Sequence, residues 1–496
     1  NTVEAIGNAP RKMPPMNAPT ARPTQPAPFV PQIRLYEQWL ERERGLRFAS
    51  YQDLWKWSVT DLEAFWQSIW DYFEIQSPTP PTAVLARNAM PGAVWFPGAQ
   101  VSYVQQVFRH VQPAHAAGFP AVIGSNEKGE RRELSWPELR RQVSALALHL
   151  QAQGVGQGDR VAAYLPNIPQ TIVAFLAVVS LGAIWSVCAP DMGTNAVLDR
   201  FRQITPKALI ACDGVTYGGR DHPRTTVVEE LRAALPSVEH LVLLRNLGGQ
   251  PAVAHSADFD DIVSRQAPEQ LSFQPRWLPF DHPLWIVYSS GTTGMPKPIV
   301  HTHGGSLVNG MAHKTLHYDV ACSYDPNSWG ERFMWYSSTG WVMWNSQISG
   351  LLGGTTCVLF DGNPGGTKER PDWTTLWRYA EQERVTFMGG GAAFFTNCMK
   401  ANVDLTPWPG LARVRALGTT GSPLSAEVQD WGTAQFRQLT AKAEGRARDI
   451  WWCNISGGTD AGAFVGGHRE LPMVAGEMQC RFLGVAINAW NEHGAP

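Results

Sequence analysis

Three things are scarce in this 496-residue chain: cysteine pairs, an excess of either charge, and long apolar runs. Its seven cysteines are odd in number, widely spaced and never arranged as CxxC. That argues against a structural zinc site or a disulfide framework, and reduced thiols in a cytoplasmic protein are the simplest reading. The 41 Lys and Arg nearly balance the 43 Asp and Glu, for a net charge of −2. A general nucleic-acid binder, or a protein held on anionic membranes, would need a basic excess, so neither class is expected. Charged residues make up 17% against 44% hydrophobic ones, which excludes a disordered chain and implies a sizeable core. At about 150 residues per domain, the length suggests about three domains or subdomains. One long apolar run exists, residues 171–189 (TIVAFLAVVSLGAIWSVCA). It is about as long as a bilayer requires, but Gly182 interrupts it and AIWSVCAP beyond is strand-like. It predicts a buried helix, a tight turn and a buried strand, not a membrane span.

Proline is concentrated at the start, in NTVEAIGNAPRKMPPMNAPTARPTQPAPFVPQIR, which has no apolar core of the secretory type. Proline blocks helix interiors and strand ladders, so residues 1–33 predict a flexible arm. Tryptophan is frequent, at 21 residues, and supplies large buried anchors. In residues 51–75, Trp55, Phe65, Trp66, Ile69, Trp70 and Phe73 recur at helical spacing, with Asp61 near an N-cap. Residues 76–120 are rich in proline, glycine and alanine and predict irregular structure. Residues 34–120 are thus read as a helical and irregular cap. Beyond them, strand-like DRVAAYLP, AIWSVCAP, KALIACDG and HLVLLRNL alternate with helical stretches. Such alternation predicts an α/β fold with mainly parallel sheets and helices on both faces.

The richest motif is PLWIVYSSGTTGMPKPIVHTHGG, residues 283–305. An apolar strand runs into Ser289, Ser290, Gly291, Thr292, Thr293 and Gly294, and Lys297 opens a second short strand. Gly291 and Gly294 can take positive φ and let the backbone approach an anion. The four hydroxyls donate hydrogen bonds and Lys297 brings a point charge, so the loop reads as a phosphate cradle. It is not a Walker A motif, because Pro296 stands where that motif needs glycine. His301 and His303 would share one face of a strand, as zinc ligands can, but no nearby cysteine or carboxylate completes a set. A serine hydrolase is excluded, since no serine has glycine at both −2 and +2.

YSSGTTGMPK resembles the signature of the adenylate-forming superfamily, which activates carboxylates with ATP and usually passes the acyl group to a thiol. Three further stretches support the resemblance. MWYSSTGWVMWN resembles the acyl-pocket segment of short-chain members, and implies Trp341, Val342 and Met343 as acyl-pocket residues. LGTTGSPL resembles the adenine-contacting turn, and implies Gly421, Ser422 and Pro423 at the nucleotide and Thr420 at the acyl group. IWWCNISGGTDAG resembles the Tyr-Gly-x-Thr-Glu-x-Gly segment. It implies Asn454, Ile455 and Ser456 along the adenine, Thr459 at a phosphate, and Asp460 as ligand of Mg²⁺ in place of the usual Glu. Thr292, Thr293, Lys297 and Thr459 would carry catalysis, and Ser289, Ser290, Gly291 and Gly294 would hold ATP. Arg220, in DGVTYGGR, matches a basic position near the CoA 3′-phosphate.

MPGAVWFPGA, DHPLWIVYSSGTTGMPKPIVH and STGWVMWN are most similar to the acetoacetate-activating branch of the superfamily. Acetate-activating members carry a tryptophan at the position of Gly457, so Gly457 is expected to open the pocket to a four-carbon acid, and Gly457→Trp to shift preference toward acetate. The expected substrates are acetoacetate, ATP and CoA, with propionate, butyrate and 3-hydroxybutyrate as possible side substrates. The expected protein is a monomer or homodimer. The resemblance implies a large adenylation domain over residues 121–496, with two αβαβα-type subdomains and a small distorted β-barrel. The family's ribose-binding segment, hinge and small C-terminal lid are not found before Pro496. Without the lid, a nucleotide-binding non-enzyme is the alternative reading.

Overall fold

The computed structural model describes residues 30–249, 251–289 and 294–495. Most of the proline-rich arm lies outside the described residues, as do the loop residues Ser290, Gly291, Thr292 and Thr293. Two seven-stranded sheets form the framework. In the first, the order is Ser256–Asp258, His240–Leu244, Ala208–Cys212, Arg160–Tyr164, Ile184–Cys188, Pro283–Ser289 and Lys297–Thr302. All its neighbours are parallel except the last pair, an antiparallel hairpin at the edge. In the second, the order is Trp451–Asn454, Ala416–Thr420, Phe387–Gly391, Arg332–Trp335, Thr356–Asp361, Pro120–Asn126 and Arg131–Ser135. Again only the final pair is antiparallel. Beside them sits a small antiparallel sheet of Ser456–Gly458, Gly462–Gly466 and Cys480–Arg481.

The long apolar run behaves as its composition requires. Pro169 begins a helix, Pro169–Ser180, in which every residue is buried. Proline suits that first turn because its missing N–H has no partner there. Gly182 turns the chain at φ 75°, and Ile184–Cys188 follows as a fully buried strand. The helix lies between the sheets, touching Ile184–Cys188 of one and Pro120–Asn126 of the other. Approach to the second sheet is so close that a Cβ on Gly124 would meet Pro169 Cδ at 2.6 Å. Among the described residues no helix is long and apolar enough to cross a membrane.

The tryptophan-rich stretch is two helices, Tyr51–Thr60 and Leu62–Tyr72, not one. Asp61 leaves helical geometry at φ −111°, ψ 71°, and its side chain accepts from Ala64 N at 3.2 Å. An Asx cap inside an apolar pattern has ended one helix and begun the next. Trp55, Phe65, Trp66, Ile69 and Trp70 are buried, as their spacing predicts. Trp55 also donates to Val485 O at 3.1 Å, and the Arg481 guanidinium lies over its ring at 3.2 Å. The first helices are thereby tied to the last described segment. Residues 76–120 are more regular than their composition suggests, with helices Tyr103–Phe108 and Val111–Ala116. Ser102 caps the first of these through Gln105 N, and Tyr103, Val104 and Val107 turn into the core.

Candidate active site

The edge hairpin of the first sheet carries the glycine-rich loop. Ser289 ends its first strand opposite Lys297, which opens the second. Gly294 between them has φ 90°, the left-handed region that glycine enters without a steric penalty. Lys297 is exposed. The second strand stops at Thr302, whose hydroxyl accepts from Gly305 N at 3.2 Å and caps the helix His303–Ala312. This switch from strand to helix separates the two histidines that the sequence placed on one face. His301 remains on the strand, where its Nδ1 accepts from Trp285 Nε1 at 2.8 Å. The neutral ring therefore carries its proton on Nε2. His303 is in the helix and fully buried, and burial pushes it down to about 3. It packs as a neutral core residue, not as a ligand.

Three further segments face the hairpin. Strand Ala416–Thr420 ends in Gly421, at φ 92°, followed by exposed Ser422 and Pro423. Strand Trp451–Asn454 runs into Ile455, whose N–H donates to Thr419 O at 2.9 Å, and then into the small sheet. Thr459, Asp460 and Ala461 form the turn of that sheet's hairpin. Trp341 caps the helix Val342–Ile348.

These elements enclose a cavity of about 500 Å³. Trp341, Val342, Met343, Thr420, Gly421 and Ile455 line it, as do Gly457, Thr459 and Asp460, so the expected acyl residues converge, and of the expected phosphate residues Thr459 does. His301 lines it too. Ser289, Gly294, Lys297, Ser422, Pro423, Asn454 and Ser456 are not in its wall; they flank it on the same strands and turns. Asn454 donates to Gln429 Oε1 at 3.0 Å, and its buried Oδ1 has no partner. Arg220 stands apart, on the hairpin strand Arg220–Pro223, paired with Glu369 at 2.7 Å. Other residues of that hairpin, with Tyr336 and Asp361, line a second cavity of about 360 Å³. Burial, reinforced by the Glu127 charge, pushes Asp361 up to about 7.

Gly457 has a second reason to be glycine. It pairs with Ala463 across the small hairpin, and a Cβ there would run into the Gly462 carbonyl and lie 2.7 Å from Ala463 Cα. Any side chain, tryptophan included, must first displace that strand. Gly457→Trp is therefore a test of the hairpin as much as of pocket size.

The inner wall holds residues that sequence reasoning missed. Ser306, Asn309 and His313 recur at helical spacing along His303–Ala312 and the π-helical turn His313–His317 that continues it. A polar stripe on an otherwise apolar helix was the available signal. Lys314, Asn345 and Ser349 complete this end. Burial pushes His313 down to about 4 and Lys314 down to about 8. His317, one turn on, is structural: its Nδ1 bonds Gly467 O at 2.9 Å, and its Nε2 accepts from Leu483 N at 3.0 Å.

The cavity thus lies among the turn of Thr459 and Asp460, Gly421 and the segment Trp341 to Met343, and comparisons with known proteins identify the family. The profile described as "AMP-binding enzyme" matches residues 108–444. The chain belongs to this family. Residues 51–107 match the profile of the acetyl-coenzyme A synthetase N-terminus, so the tryptophan-rich helices are also a family feature. The acetoacetyl-coenzyme A synthetase of Rhizobium meliloti (strain 1021) is 36% identical over 464 residues, covering 92% of this chain and 67% of that protein. A malonamoyl-CoA synthetase of Penicillium aethiopicum is 33% identical over 491 residues, covering 94% of this chain and 65% of that protein. The solved acetoacetyl-CoA synthetase from Streptomyces lividans superposes with a TM-score of 0.86 at 39% identity, over 96% of this chain and 71% of that one. The chain thus spans about two thirds of the length of the curated family members it matches.

Proposed function

We propose that this protein is an ATP-dependent acid–thiol ligase that joins acetoacetate to CoA, releasing AMP and pyrophosphate. The observation that carries the reading is the cavity that gathers the acyl residues with Thr459 and Asp460 beside the glycine-rich hairpin, in a chain similar to acetoacetyl-CoA synthetases. A carboxylate oxygen attacks the α-phosphorus in line, and the bond to pyrophosphate breaks. The CoA thiolate then attacks the acyl carbonyl and AMP leaves. Little covalent work falls to the protein, which positions the reactants and stabilises charge.

Lys297 and the Thr459 hydroxyl are the donors for phosphoryl oxygens. His301 stands in the same wall as Thr459, where the Asp460 and Thr459 backbone engages its ring. Gly421 to Pro423 and Asn454 to Ser456 flank the adenine, where the unpaired Asn454 Oδ1 is an acceptor suited to an amine. Arg220 serves the CoA phosphate, and its partner Glu369 must then yield. The exposed Asp460 carboxylate is a fit for Mg²⁺, which keeps several waters and takes one or two carboxylates with substrate phosphates. When bound, the ion would neutralise charge on the polyphosphate. Seven free cysteines support a cytoplasmic setting.

Acetoacetate-dependent exchange of pyrophosphate into ATP tests the reading. The expected order is acetoacetate above propionate, butyrate and acetate. Absence of exchange with every short acid would overturn it. A second reading, ligation of a malonic half-amide, is favoured by the similarity to a malonamoyl-CoA synthetase. Malonamate belongs in the same assay.

A further inference from the structure

His301 joins two parts of the molecule that carry different functional groups. It lies on the strand Lys297–Thr302, directly opposite Trp285 in the antiparallel pair. Trp285 donates from Nε1 to His301 Nδ1 at 2.8 Å. The indole is itself fixed: it is buried, and the rings of Phe175 and Tyr103 lie 5.8 and 6.0 Å away. On the cavity side, the Thr459 and Asp460 backbone engages the same imidazole. Burial lowers the ring's pKa and this backbone raises it, as carbonyl acceptors do. Nδ1 is taken, so Nε2–H is the donor that meets them. Trp285, His301, Thr459 and Asp460 all line the one cavity.

The turn that His301 meets has little else to hold it. Asp460 and Ala461 are exposed, and apart from this contact no hydrogen bond among the described residues fixes residues 459–461. The helix that follows His301 supports the turn's far end: a Cβ on Gly462 would lie 4.0 Å from Asn309 Oδ1. Lys297 and His301 are four residues apart on one strand, so they share a face, about 13 Å apart. The strand that presents Lys297 thus also grips the turn that presents Asp460. A carboxylate that ligates a metal depends on the groups behind it, and losing them costs about 10–100-fold in affinity. We infer that His301 is a positioning residue: anchored by Trp285, it holds the turn of Thr459 and Asp460 and so sets the Asp460 carboxylate for the divalent cation that accompanies ATP. The inference rests on the ligase reading and names a residue that acts through Asp460, without touching the cation itself.

Calorimetric titration of ATP into the full chain, with saturating Mg²⁺ and with EDTA, tests this. His301→Leu should weaken binding at least about tenfold with Mg²⁺ and change it less than about twofold in EDTA. His301→Gln, whose amide N–H can replace Nε2–H, should restore most of the Mg²⁺-dependent affinity. Trp285→Phe leaves the imidazole in place but removes its anchor, and should show the same pattern more weakly. Asp460→Asn should also lose the Mg²⁺-dependent affinity, and adding His301→Leu to it should cost little more, because the two act as a unit. Equal losses with Mg²⁺ and with EDTA overturn the inference, as does a full additional loss in the double variant or a wild type indifferent to Mg²⁺. ATP binding needs no acid. Should no short acid support pyrophosphate exchange, the ligase reading falls, and these titrations still decide the role of His301.

Discussion

The mouth and the inner end of the cavity differ in every property that matters for function. At the mouth, Lys297 and Asp460 are exposed and sit on a strand start and a turn. At the inner end, His313, Lys314 and Asn345 are at most 5% exposed and sit on helical segments. Solvated charge suits the mouth, where polyphosphate must enter and leave and where net charge changes during the reaction. Desolvated walls suit the inner end, where on the proposed function an uncharged acyl tail packs and size decides fit. On the proposed function, phosphate chemistry belongs to the exposed side and acyl fit to the buried side, and substitutions should separate the two.

Lys297→Ala should give the largest effect. Loss of a transition-state donor costs about 10²–10³-fold in rate, and the loss should be the same for every acid. If the acids fall unequally in pyrophosphate exchange, the division between the two ends is wrong.

Acid should destabilise the fold through its buried histidines, His313 of the inner end among them. Burial holds His313 near 4, and His110, His303 and His468 near 4, 3 and 4. Each is lowered from about 6.5, so the unfolded chain binds more protons between about 6.5 and 4. The stability these neutral rings allow is full above 6.5 and is lost as pH falls through 4. Asp361, raised to about 7, works the other way, its contribution fading as pH rises from about 4 through 7. The histidines outnumber it, so melting temperature should fall steadily from pH 6.5 to 4. A flat profile would show that these rings are not buried neutral.

Val342→Phe should have a medium effect of the opposite kind to Lys297→Ala. It narrows the acyl end and should cost acetoacetate about ten- to a hundredfold relative to acetate. It replaces Gly457→Trp as the size test, because the strand opposite Gly457 leaves no room for a Cβ. Arg220→Ala should have the smallest effect, raising KM for CoA a few-fold while leaving pyrophosphate exchange intact. An exposed ion pair such as Arg220–Glu369 contributes little to stability.

The same contrast explains what could be read from the sequence. The mouth is built from backbone turns, and turns leave composition signals: Gly294 and Gly421 take positive φ, and Thr459 and Asp460 fill a recognisable pattern. The alternation that predicted parallel sheets also held, because strands buried on both faces must be continuously apolar, as Ile184–Cys188 is. The inner end left a weaker mark, the polar stripe of Ser306, Asn309 and His313. His313, Lys314 and Asn345 are brought together by a π-helical turn and by packing between helices, and neither has a fixed spacing in the chain. The HxH pair misled for a related reason. Whether His303 continues a strand or starts a helix depends on the Thr302 cap, and period-two reasoning does not register caps. The Asp61 cap, by contrast, was legible, because an Asp before an apolar helical pattern is an N-cap signal.

Thr302 has one more consequence. It joins the edge strand to the ten-residue helix His303–Ala312 without a linker, and the inner-wall turn His313–His317 follows at once. The edge strand and the cavity-lining helix are therefore one uninterrupted run of backbone. At 1.5 Å per residue the helix measures about 15 Å. Inserting one residue in it would turn His313 by about 100° and carry it away from the cavity. On the proposed function, the shape of the acyl end is then set by the residue count between Thr302 and His313.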